Sequence, residues 1–409
     1  MRANKTSVIA GGLSAVSVLA LTAGWLWGSL PMIAAGATGV GYVAWRWAPR
    51  PGRRRKRAPA VPASGAVEAE VRPRAAPVDP TDSEALVEQM LAQGRYGLLL
   101  RPQIARNLND AQLARARAAL EEAMALVPEG EVVLGKIDEM LDGEDLDEEE
   151  AAAYQGRAVR VGCYFLDRYP VTNEQYYEFV AAGGYEQLSL WDESIWTAVL
   201  EFVDRTGEPG PRYWKNGRYE SRWRGHPVVG VSWYEAAAYA RWVGKRLPSD
   251  AEWVKAGSWP VTLSSTSRVQ RKYPWGDTMD RSRANLWGSG PGTTVSVDRF
   301  AEGVSVGGVH QLIGNVWEWT RGDLRASDLR HPNLTLSAPM KSIRGGAFDT
   351  YFDGQATCQF QSGETPMGRK HNIGFRCAVG ICDLMLSKPP ADAAVPDGLE
   401  NAPAEEVPV

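Results

Sequence analysis

The N-terminal part of the chain has an apolar pattern whose length fits a membrane. Between Thr6 and Trp45 there is no charged residue. A single helix of that length would measure roughly 60 Å, about twice the hydrocarbon core of a bilayer. The segment 28–31 (Gly-Ser-Leu-Pro) is a natural turn near the middle. The pattern therefore predicts two membrane spans, at about residues 7–27 and 32–47, that form a hairpin.

Basic residues flank this transmembrane hairpin, which occupies residues 1–48. Arg2 and Lys5 precede it, and the run 53–57 (RRRKR) follows it. The positive-inside bias places both ends in the cytoplasm, so we expect the globular part to face the cytoplasm from the inner (plasma) membrane. The alternatives, a single tilted anchor or a cleaved signal peptide, would send the rest of the chain outside. A basic run directly after a span is typical of a topology signal that contacts anionic lipid, so no nucleic acid is expected as a partner.

The remaining chain divides by composition and periodicity. Residues 49–81 are rich in Pro, Ala and Arg without an apolar period, which predicts a disordered linker. Residues 82–123 have helical periodicity, with a second helix predicted at 110–123 and capped near Asn109, and are interpreted as a spacer. Residues 124–386 alternate short strands, helices and long loops, which indicates an α+β body. The tail, residues 387–409, is rich in Pro, Ala and acidic residues and is predicted to be disordered.

Local motifs locate several elements of the α+β body. Residues 157–168 alternate apolar and polar side chains, which predicts one half-buried strand. Thr172 or Asn173 is expected to cap the next helix. Two further helices are predicted where a serine precedes a glutamate by three residues, the spacing of a capping box, at 232–235 and 249–252.

Composition excludes several classes of function. Hydrophobic residues make up 44% and charged residues 23% of the 409 residues, with a net charge of −4, so nothing indicates a nucleic-acid-binding protein. The 42 Gly, 26 Pro and 16 Trp favour a loop-rich body over a helical bundle. Four cysteines do not form a disulfide framework, and no two of the four histidines have metal-ligand spacing.

The strongest motifs lie in the last third of the α+β body. They are 314–319 (GNVWEW), 344–348 (RGGAF) and 372–377 (NIGFRC). Paired glycines beside an aromatic residue indicate backbone that turns tightly or is approached closely. Between Phe348 and Asn372 the sequence has neither helical nor strand periodicity, which predicts a long ordered loop, a common place for function.

These motifs, in this order, resemble the formylglycine-generating enzyme (sulfatase-modifying factor) domain family. The resemblance covers about residues 124–383. Further matching segments are 126–135, 169–173, 227–253, 273–277 and 284–287. It implies a formylglycine-generating-enzyme-like variant of the C-type-lectin-like fold, which is large and loop-rich.

The copper chemistry of the family does not carry over to this chain. In the family's oxidase, a cysteine pair just after the Gly-Gly turn holds copper, because thiolates are suitable ligands for Cu(I). Here the first of those positions is Thr350, and no cysteine follows until Cys358, which matches a later, structural cysteine. A hydroxyl cannot replace the thiolate, so we expect neither copper nor a catalytic residue. Cys377 and Cys382 have a similar spacing but are interpreted as buried small hydrophobes.

The resemblance also implies disulfides that this chain lacks. Cys358 and Cys377 match cysteines that are oxidised in the secreted enzyme, but their partner positions are Ala240 and about Gly257. Two unpaired thiols suit a reducing compartment. This agrees with the cytoplasmic orientation predicted for the hairpin.

The resemblance further implies calcium sites, of which the sequence retains part. One would use Asn285 and the Leu286 carbonyl, but the loop that supplies its other ligands is shortened. The second would use oxygen donors from Gln311, Gly314, Val316 and Glu318. One calcium ion is therefore allowed, the alternative being that Glu318 satisfies the amides of the turn. The family's iron-dependent sulfoxide synthases use histidines of a separate helical bundle, which this sequence does not show.

The function favoured by these residues is a non-catalytic module that binds a protein or another ligand, with a protein or peptide as the expected partner. The loop 349–367 would be its recognition surface, where aromatic anchors mix with polar groups. The predicted contact residues are Thr350, Tyr351, Phe352, Asp353, Gln355 and Gln361. The competing interpretation is that Phe352 or Phe360 belongs to the core, as Trp317 and Trp319 are expected to do.

Two other functions are alternatives. An oxidoreductase of the formylglycine-generating or non-haem-iron family would use a metal site that the sequence does not reveal. It would bind stoichiometric metal and consume oxygen. A scaffold would use residues 82–123 and the basic run to assemble a membrane complex, and would lose its partner when residues 1–80 are deleted.

Overall fold

The structure is a computed structural model that describes residues 79, 82–135, 156–262, 268–324, 336 and 338–387. The predicted hairpin (1–48), the basic run and the tail from residue 388 lie outside these residues. Among the described helices, none is both long enough and apolar enough to cross a membrane.

Four of the described helices begin at capping residues that the local sequence predicts. The α-helices are α1 (Ser83–Ala92), α2 (Tyr96–Leu99), α3 (Pro102–Ala105), α4 (Asp110–Ala123), α5 (Asn173–Ala181), α6 (Trp196–Val199), α7 (Trp233–Trp242) and α8 (Asp250–Ser258). The side chains of Asn109, Thr172, Ser232 and Ser249 each accept a hydrogen bond from the amide three residues later, and each helix has a complete capping box. The predicted starts of these four helices are confirmed.

Short strands form four small sheets within the residues that the structure describes. The strands are β1 (Met124–Val127), β2 (Gly130–Leu134), β3 (Arg157–Val161), β4 (Tyr164–Asp167), β5 (Val261–Thr262), β6 (Arg268–Val269), β7 (Trp317–Leu324), β8 (Met340–Arg344), β9 (Gln361–Glu364), β10 (Ile373–Phe375) and β11 (Ala378–Gly380). One sheet has the antiparallel order β1-β4-β11. A second has the order β10-β7-β8-β9, with β10 parallel to β7. The pairs β2-β3 and β5-β6 complete the set, so the described body is mixed α and β.

Single turns of 3-10 helix connect these elements. They are Leu188–Leu190, Glu193–Ile195, Ser221–Trp223, Arg281–Arg283, Ala301–Gly303, Asp353–Gln355 and Ile381–Asp383. Long irregular connections therefore carry much of the surface, which agrees with the glycine-rich and proline-rich composition.

The single half-buried strand predicted at 157–168 is wrong, because the chain breaks at Gly162 and Cys163 into β3 and β4. All four residues of β4 are buried. Leu166 packs in the core cluster of α8, whereas Phe165 packs in the cluster of the N-terminal helices. A strand between two others with a core on each face has no polar side, so the predicted alternation ends where β4 begins.

The helices α1 to α4 share a core with the α+β body. Leu99 and Leu120 pack with Phe165 and Val379 of the β1-β4-β11 sheet in one buried cluster. The segment 82–123, interpreted from sequence as a spacer, therefore covers one face of this sheet. Its apolar stripes are buried against the body rather than against a partner.

A buried ion pair of the α+β body reaches this contact through a hydrogen bond to α2. The Lys245 ammonium lies 2.7 Å from Asp167 Oδ1 and donates to the Tyr96 hydroxyl of α2 at 2.6 Å. Burial disfavours the charged amine, but the neighbouring Asp167 and Tyr96 outweigh it and raise the pKa of Lys245 well above its ordinary value. The polar groups are thus satisfied inside the interface.

The largest core cluster is aromatic and lies between α5, α7 and β10. Tyr176 of α5 stacks on Tyr239 of α7, with ring centroids 5.3 Å apart, and Phe375 packs edge-on against Tyr239 at 5.5 Å. Trp319 of β7 belongs to the same cluster and is fully buried, whereas Trp317 is half-buried against it. Both tryptophans therefore have the packing role expected of them.

Candidate functional site

The predicted long loop begins at a glycine turn directly after β8. Gly345 has a φ of +97°, and a Cβ atom there would lie 2.3 Å from the Leu312 carbonyl oxygen. Glycine alone meets both constraints without strain. The Gly345 carbonyl accepts a hydrogen bond from the Gly314 amide at 2.9 Å. The turn therefore fastens the start of the loop to the segment before β7.

Thr350 supports the base of the loop. Its side chain is buried, and its Oγ1 accepts a hydrogen bond from the Ala347 amide at 2.8 Å. Its carbonyl accepts a hydrogen bond from the Trp287 amide at 3.2 Å. Thr350 was predicted to contact a ligand, but in this position its hydroxyl is already used within the turn.

Two of the predicted contact residues project into solvent. Tyr351 is 62% and Phe352 is 64% exposed, and their rings meet edge to face with centroids 5.1 Å apart. Trp287, whose backbone is joined to the loop at Thr350, is 55% exposed. We call Trp287, Tyr351 and Phe352 the aromatic rim. Phe352 is thus a surface residue and not a core residue.

Arg281 ties together the two segments that carry the rim. Its guanidinium forms an ion pair with Asp353 and donates hydrogen bonds to the carbonyls of Tyr351 and Trp287. Sequence reasoning missed Arg281 and assigned no binding role to Trp287. Because Arg281 and Asp353 are 72 residues apart, no local pattern could have revealed the contact.

The remaining predicted contacts lie elsewhere. Gln355 is half-buried and ends the 3-10 turn that follows Phe352. Gln361 lies on β9, where its amide donates to Ser342 Oγ at 3.0 Å. Phe360 is half-buried, with its ring 6.0 Å from that of Trp317. The structure therefore brings Tyr351, Phe352 and Asp353 together, but places Gln361 in the polar contacts of the sheet.

Glu318, the predicted carboxylate ligand for calcium, is fully buried in an ion pair. Arg376 contacts both of its oxygens, at 2.7 and 2.8 Å, and Trp253 Nε1 donates to Oε2 at 2.8 Å. A guanidinium directly on both carboxylate oxygens occupies the position that a cation would need. The alternative, in which Glu318 accepts hydrogen bonds from turn amides, is also wrong, because the partners of its side chain are Arg376 and Trp253.

The other predicted calcium ligands have mostly internal partners. Gln311 accepts from Asn315 through Oε1 and donates to the Ser296 and Arg299 carbonyls through Nε2. The Gly314 carbonyl accepts from the Val316 amide at 2.9 Å. With the Glu318 carboxylate paired to a guanidinium and Gln311 Oε1 bonded to Asn315, the side-chain donors of this set do not fit a calcium ion, which takes six to eight oxygen ligands.

The first implied calcium position keeps one side-chain oxygen that has no hydrogen-bond partner in the described part of the chain. Asn285 Oδ1 is buried and has no hydrogen-bond partner among the described residues, whereas its Nδ2 donates to Thr293 and Asn315. One side-chain oxygen does not make a metal site. Within the described ranges, no three His, Cys, Asp or Glu side chains are grouped so that they could hold a metal ion.

The cysteines are free thiols in different environments. Cys358 and Cys377 are fully buried, and burial raises the pKa of both thiols. Cys382 is exposed, so the interpretation of this residue as a buried hydrophobe is wrong; it lies in a turn at the end of the sheet. Of the two implied partner positions, Gly257 lies against Cys358, because a Cβ atom at Gly257 would be 3.8 Å from Cys358 Cβ.

The chain is similar in sequence to several known proteins. The chain is 30% identical over 285 residues to the hercynine oxygenase of Mycolicibacterium smegmatis, covering 65% of this chain and 63% of that protein, which is less than two thirds of its length. It is 31% identical over 261 residues to the inactive C-alpha-formylglycine-generating enzyme 2 of Bos taurus, covering 55% of this chain and 79% of that protein.

A solved structure with a similar chain is PvdO from Pseudomonas aeruginosa, at 19% identity and a TM-score of 0.39, covering 62% of this chain and 93% of that one. The family model of the sulfatase-modifying factor enzyme 1-like domain matches residues 110–381, about two thirds of the chain. This chain belongs to the family of the sulfatase-modifying factor enzyme 1-like domain.

Proposed function

We propose that this protein is a non-catalytic member of its family that binds a protein or peptide partner through the aromatic rim. The observation that carries the proposal is the pair of adjacent rings, Tyr351 and Phe352, held in solvent on a loop that is fixed at its base. Exposed aromatic side chains on a rigid support are typical anchors of protein interfaces, because they bury much apolar area at little entropic cost.

The charges beside the rim favour a polypeptide over a purely apolar ligand. Asp353 and Arg281 are both partly exposed, at 47% and 39% of their side chains, and can exchange their mutual contact for contacts with a partner. Backbone amides and carbonyls of a peptide offer such polar contacts around an aromatic anchor. The C-type-lectin-like variant of the fold implied by the resemblance would provide the frame that presents the loop.

Selection of peptides from a random display library on the full chain tests this proposal. Binding of a selected peptide, followed by fluorescence polarisation, is expected to weaken by about tenfold or more in Tyr351→Ala and in Phe352→Ala, because each removes an anchor ring. Trp196→Ala is the matched control, since Trp196 is also an exposed aromatic residue (40%) but lies on α6. Selected peptides that bind the rim variants as tightly as the parent protein would contradict the proposal.

The second candidate is an oxidoreductase, which the 30% identity to a hercynine oxygenase favours. Titration of the full chain with copper or iron, combined with measurement of oxygen consumption, separates the two functions. A binding module consumes no oxygen beyond the metal-only blank. Stoichiometric metal that persists in Cys358→Ser and Cys377→Ser and supports oxygen consumption would establish the oxidoreductase instead.

The proposal includes attachment to the inner membrane through residues 1–48, with the globular part in the cytoplasm. Its support is the uncharged stretch between Thr6 and Trp45 and its basic flanks. Deleting residues 1–48 is expected to move the protein from the membrane fraction to the supernatant after alkaline extraction. A C-terminal reporter that is active only outside the cytoplasm should be silent on the full chain. An active reporter would contradict the proposed orientation.

A further inference from the structure

A cleft of about 570 Å³ lies between the irregular segment after α6 and the segment before β10, and none of its lining residues belongs to the aromatic rim. Three arginines line it together with acidic and aromatic side chains. The lining residues used below are Glu201, Val203, Asp204, Arg205, Arg212, Tyr213 and Arg369. We call this the arginine cleft. Its volume is in the range of sites that hold small ligands.

Arg369 forms a rigid wall of the cleft. Its side chain is only 10% exposed, and its guanidinium donates to the carbonyls of Val203 and Gly210. The fully buried Glu235 balances its charge at 2.8 Å. The Arg369 Nε is buried and has no hydrogen-bond partner among the described residues. Arg369 therefore holds the segment after α6 in place and retains one unused donor.

Asp204 forms no ion pair with Arg205 or Arg212 in the part of the chain that the structure describes. Its Oδ1 accepts hydrogen bonds from the amides of Thr206 and Glu208, and its Oδ2 accepts one from the Gly217 amide. Burial raises the pKa of Asp204, but these hydrogen bonds, together with that of the Thr206 hydroxyl, outweigh it and leave the pKa below its ordinary value. The carboxylate is thus used in shaping the loop.

Arg205 and Arg212 are left as two cations without a carboxylate partner in the part of the chain that the structure describes. Arg205 lies over the Tyr213 ring, with its guanidinium carbon 5.5 Å from the ring centroid, which orients it at the cleft wall. Both side chains are exposed and line the same cavity. The other acidic residue of the described lining is Glu201, whose carboxylate has no internal hydrogen bonds of the kind that Asp204 makes.

We propose that the arginine cleft binds the carboxylate of an acidic peptide side chain. Two guanidinium groups suit a carboxylate, because their planar donors match its two oxygens. The Tyr213 ring and Val203 supply apolar surface for the methylenes of a glutamate. Glu201 in the lining opposes additional negative charge, which favours a singly charged carboxylate over a doubly charged phosphate. This site is separate from the aromatic rim and does not rest on the function proposed for it.

Calorimetric titration of the full chain with the capped tripeptide acetyl-Gly-Glu-Gly-amide tests the proposal, with acetyl-Gly-Gln-Gly-amide as the matched uncharged probe. The glutamate peptide is expected to bind at least about tenfold more tightly than the glutamine peptide, as charge-assisted hydrogen bonds to two arginines predict. Arg205→Gln and Arg212→Gln should each remove most of this difference. Glu201→Gln should strengthen binding of the glutamate peptide, because it removes the opposing charge.

Arg218→Gln is the control variant, since Arg218 is an exposed arginine of the same segment that does not line the cleft. It should leave the affinity unchanged. Equal binding of the two peptides, or equal loss in Arg218→Gln and Arg212→Gln, would overturn the proposal as non-specific charge attraction. Tighter binding of inorganic phosphate than of the glutamate peptide would overturn the assignment to a carboxylate. Arg205 and Arg212 are exposed, so near-ultraviolet circular dichroism should confirm an unchanged fold.

Discussion

Arg376→Met is expected to lower the free energy of unfolding by about 3–5 kcal/mol, because it leaves a buried carboxylate without its counter-charge. Arg376 and Glu318 are both 0% exposed and joined by two hydrogen bonds. The same guanidinium also donates to the carbonyls of Asp167, Arg168 and His310. Urea denaturation measures the effect as a shift of the unfolding midpoint, provided that the dependence of the unfolding free energy on urea concentration (the m-value) is unchanged.

Glu318→Gln should cost less than Arg376→Met, because the glutamine keeps an acceptor for Trp253 and Arg376 keeps its three carbonyl partners. Arg117→Met is the control, since Arg117 pairs with Glu121 on the surface of α4, with 52% and 54% of the side chains exposed. An exposed pair of this kind contributes at most about 1 kcal/mol. A loss below about 1 kcal/mol in Arg376→Met would show that the buried pair does not hold β7 against β10.

Gly257→Cys is expected to form a disulfide with Cys358 and to stabilise the oxidised protein by about 2–4 kcal/mol. A Cβ atom at Gly257 would lie 3.8 Å from Cys358 Cβ and 2.9 Å from its Sγ. The first distance matches the mean Cβ separation of about 3.8 Å in disulfides. The bond would close a loop of about 100 residues. A loop of this length removes much conformational entropy from the unfolded chain, which stabilises the folded state.

Thiol titration after treatment with oxidised glutathione measures formation of the disulfide. Urea denaturation with and without reductant measures the change in stability. The reduced variant should be less stable than the parent protein, because the new Cβ lies within 3.0 Å of the Cys358 sulfur. Gly257→Ala is the matched control: its Cβ atom crowds the Cys358 sulfur in the same way but cannot form the disulfide, so its stability should not change on oxidation. A variant in which every thiol stays titratable after oxidation would contradict the predicted proximity.

Much of the local structure could be predicted because its causes are local. The capping boxes at Thr172, Ser232 and Ser249 each need a partner only three residues away, so sequence spacing predicts the helix start. The paired glycines after β8 likewise indicate a constrained turn before any contact is known. The break between β3 and β4 was missed, because burial on both faces of β4 depends on helices and strands distant in sequence.

The candidate site was predicted only in part for the same reason. Tyr351, Phe352 and Asp353 are neighbours in sequence and stay together in space. Gln361 was grouped with them by proximity along the chain, but pairing of β9 with β8 directs it to Ser342. The partners of Glu318 and Asp353 lie 58 and 72 residues away, and no spacing rule connects them.

The sequence by itself determined the family, through the order of its glycine and tryptophan motifs. It also determined that no thiolate stands at position 350, because the identity of a residue does not depend on folding. The tertiary structure decided which charges are neutralised. It gave Glu318 the guanidinium of Arg376 and left Arg205 and Arg212 beside an open cleft. Coulombic pairing depends on distance and burial, and both are set only when remote segments meet.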